Sequence, residues 1–229
     1  MEHDLSIILP AQNEKDNLPF VLDELFDVIN KINLNTEYIL IKNANDNSCD
    51  KLSELQKNQI KIVNQKIPGF GSAIKEGLTK ISSKKTIIYL TDGSMNPNDI
   101  FKIYNYLDTY DFIFCSRYEN NAHSDDDTNL TFVGNKIFSL IGKYFFGLKI
   151  TDILYTYFGL NSKYVNKLNL SSNDFGICVE LPIKVHRLKF NYRSIPSNER
   201  KRLSGEKNVS EFRDGFKILI KMILLFLKR

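Results

Sequence analysis

Two hydrophobic rhythms alternate along the first half of the chain. Leu5 to Leu9 is a short apolar run closed by Pro10, as a buried strand would be. From Asn17 to Ile32 the apolar residues Leu18, Val21, Leu22, Leu25, Phe26 and Ile29 recur at helical spacing. Tyr38 to Ile41, Ile60 to Val63, Thr86 to Leu90 and Phe112 to Cys115 read as further strands. Between them, helices are expected over Cys49 to Gln56, Gly71 to Ile81 after the "PGFG" turn, and Asn98 to Leu107 after Pro97. Strands separated by helices form βαβ units, so the pattern predicts an α/β fold. Its sheet is mostly parallel and has helices on both faces. Ligands of such sheets sit at the carboxyl ends of the strands, where Pro10 to Glu14, Asn43 to Asp46 and Asp92 all fall.

The second half carries a different pattern. "ENNAHSDDDTNL", Glu119 to Leu130, is polar and reads as a loop; Asp125, Asp126 and Asp127 are expected to be a solvated charge run. Thr131 to Phe146 reads as an amphipathic helix whose Phe132, Ile137, Phe138, Ile141 and Phe145 belong in the core. No repeat or Pro/Ser linker divides the chain. The expected organisation is one domain over residues 1–211 and a C-terminal amphipathic helix over 212–229. That helix, "FKILIKMILLFLKR", is apolar around most of its circumference, interrupted by Lys221 and flanked by Lys217, Lys228 and Arg229. It is shorter than the roughly 20 residues a membrane span needs. An interfacial helix on an anionic membrane and a helix packed on protein both fit it.

Composition narrows the classes. At 229 residues with 42% hydrophobic content the chain can build a core without staples. A net charge of +4 and the absence of a recognition motif argue against nucleic-acid binding. Cys49, Cys115 and Cys178 are scattered and odd in number, which points to a reducing compartment. His3, His123 and His186 lack zinc-ligand spacing. The opening "MEHDLSIILP" has neither a basic region nor a long apolar core, so no signal peptide is expected. The chemistry-bearing stretch is "YLTDGSMNP", where a strand runs into Asp92, Gly93 and Ser94. By residue type alone it is a turn with one carboxylate.

Several segments, taken in order, resemble one family, the family-2 glycosyltransferases of GT-A (Rossmann-like) fold. The likeness is closest to the dolichol-phosphate mannose synthase and polyprenyl-phosphate glycosyltransferase branch. "LSIILPAQNEKDNL" is similar to the family's first strand and donor loop, "PGFGSAIKEGL" to its Gly-rich helix start, and "FIFCSRY" to its strand ending in Ser-Arg. "GNKIFSLIGKYFFGLKITDILYTYFG" resembles the segment bearing Asn135 and the Thr-Asp pair. "VELPIKVHRLKFNYRSIPSNERKRLSGEKNV" resembles the closing Ile-Pro and Arg-x-x-Gly-Glu pattern.

The resemblance implies a nucleotide-sugar site at Pro10, Ala11, Gln12, Asn13, Glu14, Asn43, Asp46, Gly71, Asp92 and Gly93, with Glu14 accepting from ribose hydroxyls. It implies that Gly71 lets backbone approach the donor and that Arg117 lies near the phosphates. It also implies Mg2+ or Mn2+ on Asp92 and Ser94. The chain departs from the pattern twice. Asn43 stands where the family has an acid. At the metal motif, Asp92 is either the second acid, with Leu90 in place of the first and Ser94 as a later ligand, or the first acid, with Ser94 in place of the second.

The implied reaction is inverting displacement at the anomeric carbon, with a polyprenyl phosphate or a cell-surface glycan as acceptor. A lipid phosphate would need cations, for which Arg117, Arg200 and Arg202 are suited. A sugar hydroxyl would need a general base, Asp152 first and Glu180 second. The expected location is cytoplasmic, peripheral on the inner face of the cell membrane. Two other readings are weighed: a GT-A domain that binds nucleotide sugar or a partner without turnover, and a sugar-phosphate nucleotidyltransferase. The latter ranks last, because "LPAQNEKDN" lacks that class's Gly-rich basic loop. Nucleotide base, sugar, acceptor and oligomeric state are not legible.

Overall fold

The computed structural model describes residues 3–205 and 210–228. Seven strands form one sheet in the order β3-β2-β1-β4-β6-β5-β7. Strands β1 (Leu5–Pro10), β2 (Thr36–Lys42), β3 (Ile60–Asn64) and β4 (Lys85–Ile88) run parallel. Strand β5 (Phe112–Ser116) pairs in parallel with β7 (Tyr192–Pro196). Between them and the first four strands lies β6 (Phe158–Asn161), antiparallel to both β4 and β5. The hydrophobic pattern did not reveal β6, a four-residue strand containing Gly159. That glycine fits because Ile103 presses on the position a Cβ would occupy.

Alternation along the strands supplies two cores. Leu5, Ile7 and Leu9 of β1 face one side with α1 (Leu18–Ile32) and α4 (Asp99–Tyr106). Ile8 faces the other, with α3 (Phe70–Leu78) and α7 (Ile177–Arg187). Each sheet face is thus covered by helices, as a parallel sheet requires. The helix expected from Cys49 begins later: α2 runs Glu54–Gln59, because Ser53 and Gln56 form a capping box that fixes its start.

The largest departure is α5 (Asn129–Phe146). Phe138 and Ile141 pack against the core as expected, but Phe132, Ile137 and Phe145 are exposed. Periodicity reports an apolar face, not what covers it. The C-terminal helix α8, which follows the short α6 (Val165–Leu168) and α7, spans Glu211–Leu227. It packs inward through Ile218, Met222 and Leu225 and meets α5 where the Phe226 ring lies 5.9 Å from Phe145 and 6.0 Å from Phe146. Its other side remains open, with Phe212 79%, Phe216 64% and Leu227 74% exposed, beside Tyr144 (74%) and Phe145 (58%) of α5. No helix among the described residues is long and apolar enough to cross a membrane. Arg229, part of the basic flank, lies outside the described residues.

Candidate active site

A cleft of about 470 Å3 opens over the carboxyl ends of β1, β2 and β4. Pro10, Ala11, Gln12 and Glu14 line it from the loop after β1, Asn43 from the turn after β2, and Leu90 and Asp92 from the turn after β4. Arg117 joins them from the end of β5, and Arg202 from the segment after β7. Eight of the residues expected to bind donor or act in catalysis, Pro10, Ala11, Gln12, Glu14, Asn43, Asp92, Arg117 and Arg202, therefore converge on one space. Asn13, Asp46, Gly71, Gly93, Ser94, Asp152 and Glu180 do not line it.

Several of these shape the lining from behind. Asn13 has φ 61°, and its backbone N–H donates to Asp46 Oδ2 at 2.7 Å. Asp46 thereby ties the β1 loop to the β2 turn, whose carbonyls at Asn43, Ala44 and Asp46 accept from Lys42 Nζ. Gly71 was expected to make room for a donor. It instead makes room for protein: a Cβ there would sit 2.6 Å from the Ser172 carbonyl oxygen. Gly69, with φ 122°, does line the cleft.

At "TDGS", Asp92 Oδ1 accepts from the Ser94 backbone N–H at 3.0 Å and from Ser94 Oγ at 2.8 Å. Asp92 Oδ2 accepts from Arg202 Nη2 at 2.8 Å. Gly93 turns at φ 80°, and Leu203 packs where its side chain would be. Residues 199–204 form a strap across this turn. Arg200 N–H donates to the Ser94 carbonyl, Leu203 N–H to that of Asp92, and Ser204 Oγ to Asn17 Oδ1. Glu206, which closes the Arg-x-x-Gly-Glu pattern, lies outside the described residues. Burial raises the pKa of Glu14; a hydrogen bond from Asn17 Nδ2 opposes this, and the nearby charge of Asp92 adds to it.

The arginines are committed to protein carboxylates. Arg117 donates through Nε and Nη2 to the two oxygens of Asp152, at 2.7 and 3.0 Å, and through Nη1 to Glu199 at 3.1 Å. Burial works against its charge, but Asp152 outweighs that and holds the guanidinium's pKa well above its ordinary value. Arg200 was expected to serve phosphates; it forms a two-pronged pair with Glu24 of α1 instead.

Neither expected base is placed as one. Asp152 is buried under Arg117, and Glu180 accepts from Ser171 and Ser172 and pairs with Lys184 and Lys221. Burial alone would raise the pKa of Glu180, but hydrogen bonds from Ser172, Lys184 and Ser171 hold it well below the usual carboxylate range. Glu180 ties α8 to α7 and to the 171–172 loop. Replacing it with Gln is expected to cost about 1–3 kcal/mol of stability in urea unfolding and to leave turnover near normal. Because its folded pKa is depressed from 4.5, its contribution is full above that pH and fades as pH falls further. The gap between wild type and variant should therefore narrow below pH 4.5.

The acidic loop is not simply solvated. Asp125 is exposed, but Asp126 and Asp127 line the cleft. Asp127 accepts from Tyr118 Oη at 2.5 Å and lies 3.7 Å from Arg117. Ser124 bridges Glu199, which also lines the cleft and whose pKa burial raises. Sequence reasoning missed Asp126, Asp127 and Glu199. The acid run was the only signal for Asp126 and Asp127, and Glu199 had none, since a bridge between residues 75 positions apart brings the set together. Thr131 and Asn135 of α5 and Arg213, Asp214 and Ile218 of α8 complete the wall.

The family profile described as "Glycosyl transferase family 2" matches residues 6–168. Among solved structures, glucosyl-3-phosphoglycerate synthase from Mycobacterium tuberculosis in complex with uridine diphosphate superposes with TM-score 0.72 at 14% identity, over 98% of this chain and 80% of that one. The same enzyme in complex with Mn2+, UDP-glucose and phosphoglyceric acid gives 0.72 at 13% identity, with the same coverage. A structure described only as a mycobacterial protein gives 0.71 at 13%, over 96% and 74%. At these identities the likeness is one of fold. A search of curated proteins returns no significant match.

Proposed function

The chain belongs to glycosyl transferase family 2 and is a glycosyltransferase, and from that premise we propose that it moves a sugar from a nucleotide-sugar donor to an acceptor held at a membrane surface. The observation that carries the membrane part is shared construction: α5 and α8 wall the cleft and also expose the apolar faces described above. Tyr144, Phe145, Phe216 and Leu227 would enter the lipid boundary, with Lys143 and Lys217 beside them to meet anionic headgroups. A polyprenyl phosphate or a lipid-linked glycan held at that surface would come within reach of the cleft. Glucosyl-3-phosphoglycerate synthase, by contrast, has been crystallised with phosphoglyceric acid.

The donor would lie over the loops after β1, β2 and β4. Glu14, with one oxygen held by Asn17, offers the other to a ribose hydroxyl. As a carboxylate Glu14 would accept from that hydroxyl; when protonated, the same oxygen would carry the proton and donate instead. Asn43 lines the same part of the cleft with an amide that can donate and accept at once. Arg202, already beside Asp92, would turn toward the leaving diphosphate.

The residues present fit a divalent ion. Asp92 lines the cleft with a hard carboxylate oxygen, which Ser94 positions from behind, and magnesium accepts a single protein carboxylate when phosphates and water complete its shell. Among the described residues no cluster of three or more acids, histidines or cysteines is placed to hold a metal by itself. Bound there, the ion would stabilise negative charge on the departing diphosphate. The test is release of nucleoside diphosphate from a panel of nucleotide sugars, with polyprenyl-phosphate vesicles and with vesicles carrying a lipid-linked sugar. Release that is independent of both vesicle types would remove the membrane part of the reading.

A further inference from the structure

The loops after β1 and β2 both reach the cleft, and side chains outside it fix how the two meet. The ladder between these strands ends where Ala11 N–H donates to the Ile41 carbonyl at 2.9 Å. Beyond that point two side chains of the β2 turn take over. Asp46 Oδ2 accepts from Asn13 N–H at 2.7 Å, and Ser48 Oγ accepts from Glu14 N–H at 3.0 Å. Asp46 Oδ1 accepts from Ser48 N–H at 2.9 Å, so one carboxylate governs both contacts. Asn13 is a non-glycine residue at φ 61°, and its hydrogen bond to Asp46 stabilises that left-handed turn.

The β2 turn is itself wound around a buried cation. Lys42 ends β2 and is only 9% exposed. Its ammonium donates to the carbonyls of Asn43, Ala44 and Asp46 at 3.1, 3.3 and 2.8 Å. An ammonium has three N–H donors, and here three acceptors match them. Carbonyl dipoles aimed at one point repel one another unless a cation sits between them. Lys42 does not line the cleft, so its charge serves the turn.

We propose, on the donor reading above, that Lys42 and Asp46 are positioning residues for the nucleotide sugar. The ammonium shapes the turn that presents Asn43 to the cleft, and Asp46 carries that shape across to Asn13 and, through Ser48, to Glu14. Neither residue touches the donor. Asn43 and Asp92 follow strands two places apart in the sheet, so the nucleoside end lies away from the bond that breaks. Contacts there are the same in the ground state and the transition state. Losing them raises KM and leaves kcat unchanged. A general loss of stability does the opposite, because it shrinks the active fraction and lowers apparent kcat at constant KM.

The experiment uses the full chain, with UDP, GDP, CDP and dTDP as binding probes, the matching nucleotide sugars as donors and water as acceptor. For the nucleotide that wild type binds, Lys42→Met and Asp46→Asn should each weaken binding and raise donor KM about tenfold or more. Their kcat values should stay within about twofold of wild type. The double variant should be no more than about twofold worse than the poorer single one, since both changes undo one geometry. Amide hydrogen exchange reads the positioning without any donor: the Asn13 and Glu14 N–H groups should exchange at least about tenfold faster in both single variants. Wild-type Kd and KM in the variants would overturn the proposal. So would a fall in kcat at constant KM, or unaltered exchange at Asn13 and Glu14. Asp46 lies on a half-buried turn, so Asp46→Asn decides alone if Lys42→Met does not fold. Absence of binding by all four nucleotides in wild type would count against the donor reading itself, while the exchange result still decides whether the two loops are held in this way.

Discussion

Replacing Asp92 with Asn should lower donor turnover by about 10²–10³-fold while circular dichroism shows the fold unchanged. The amide keeps one oxygen for the Ser94 contacts, but it turns an N–H toward Arg202, where a carboxylate had balanced the guanidinium. It also removes the one carboxylate offered at this turn to a divalent ion, so the residual rate should no longer respond to Mg2+. Ser94→Ala tests the same turn more gently. Ser94 donates 2.8 Å to Asp92 and steadies it, so its loss should cost about 1 kcal/mol of barrier, or roughly fivefold in rate. Metal-dependent release of nucleoside diphosphate, measured at saturating donor, reads both variants. A near-normal Asp92→Asn rate would show that the leaving group is stabilised elsewhere.

The second large effect is expected at the apolar faces of α5 and α8. Phe145 and Phe216 are 58% and 64% exposed, so changing both to Glu disturbs little of the folded core. If these rings enter a membrane, each contributes about 1.5–3 kcal/mol of burial. Losing both, and adding two charges, should weaken binding to anionic vesicles by at least about 10²-fold. Cosedimentation measures this directly, and hydrolysis of donor in solution should remain. Unchanged sedimentation would assign that face to another partner.

These expectations show which parts of the molecule could be read from its residues. The βαβ half was legible because each strand is a continuous apolar run between turn residues, and burial on both faces makes such runs nearly uniform. The boundaries moved where capping chemistry prevailed over periodicity, as at Ser53 and Gln56. Pro10 to Gln12 and Glu14 were legible as a strand-end loop through motif and position together, and they line the cleft. The acidic loop was not legible, because its role arises from the bridge between Ser124 and Glu199. The arginines were only half legible. Their type suggested phosphate binding, but Asp152, Glu199 and Glu24 approach them from distant parts of the chain. Phe132, Ile137 and Phe145 of α5 were misassigned to the core because an apolar helix face has the same period whether or not protein covers it.

The central claim is that this cleft binds a nucleotide sugar and releases its diphosphate. The most direct test is a coupled assay for nucleoside diphosphate across uridine, guanosine, cytidine and thymidine sugars, with Mg2+ or Mn2+ and with vesicles bearing polyprenyl phosphate or a lipid-linked sugar. One donor should give saturable, metal-dependent release that disappears on chelation and in Asp92→Asn. A donor that binds tightly yet is released intact under every condition would contradict the account.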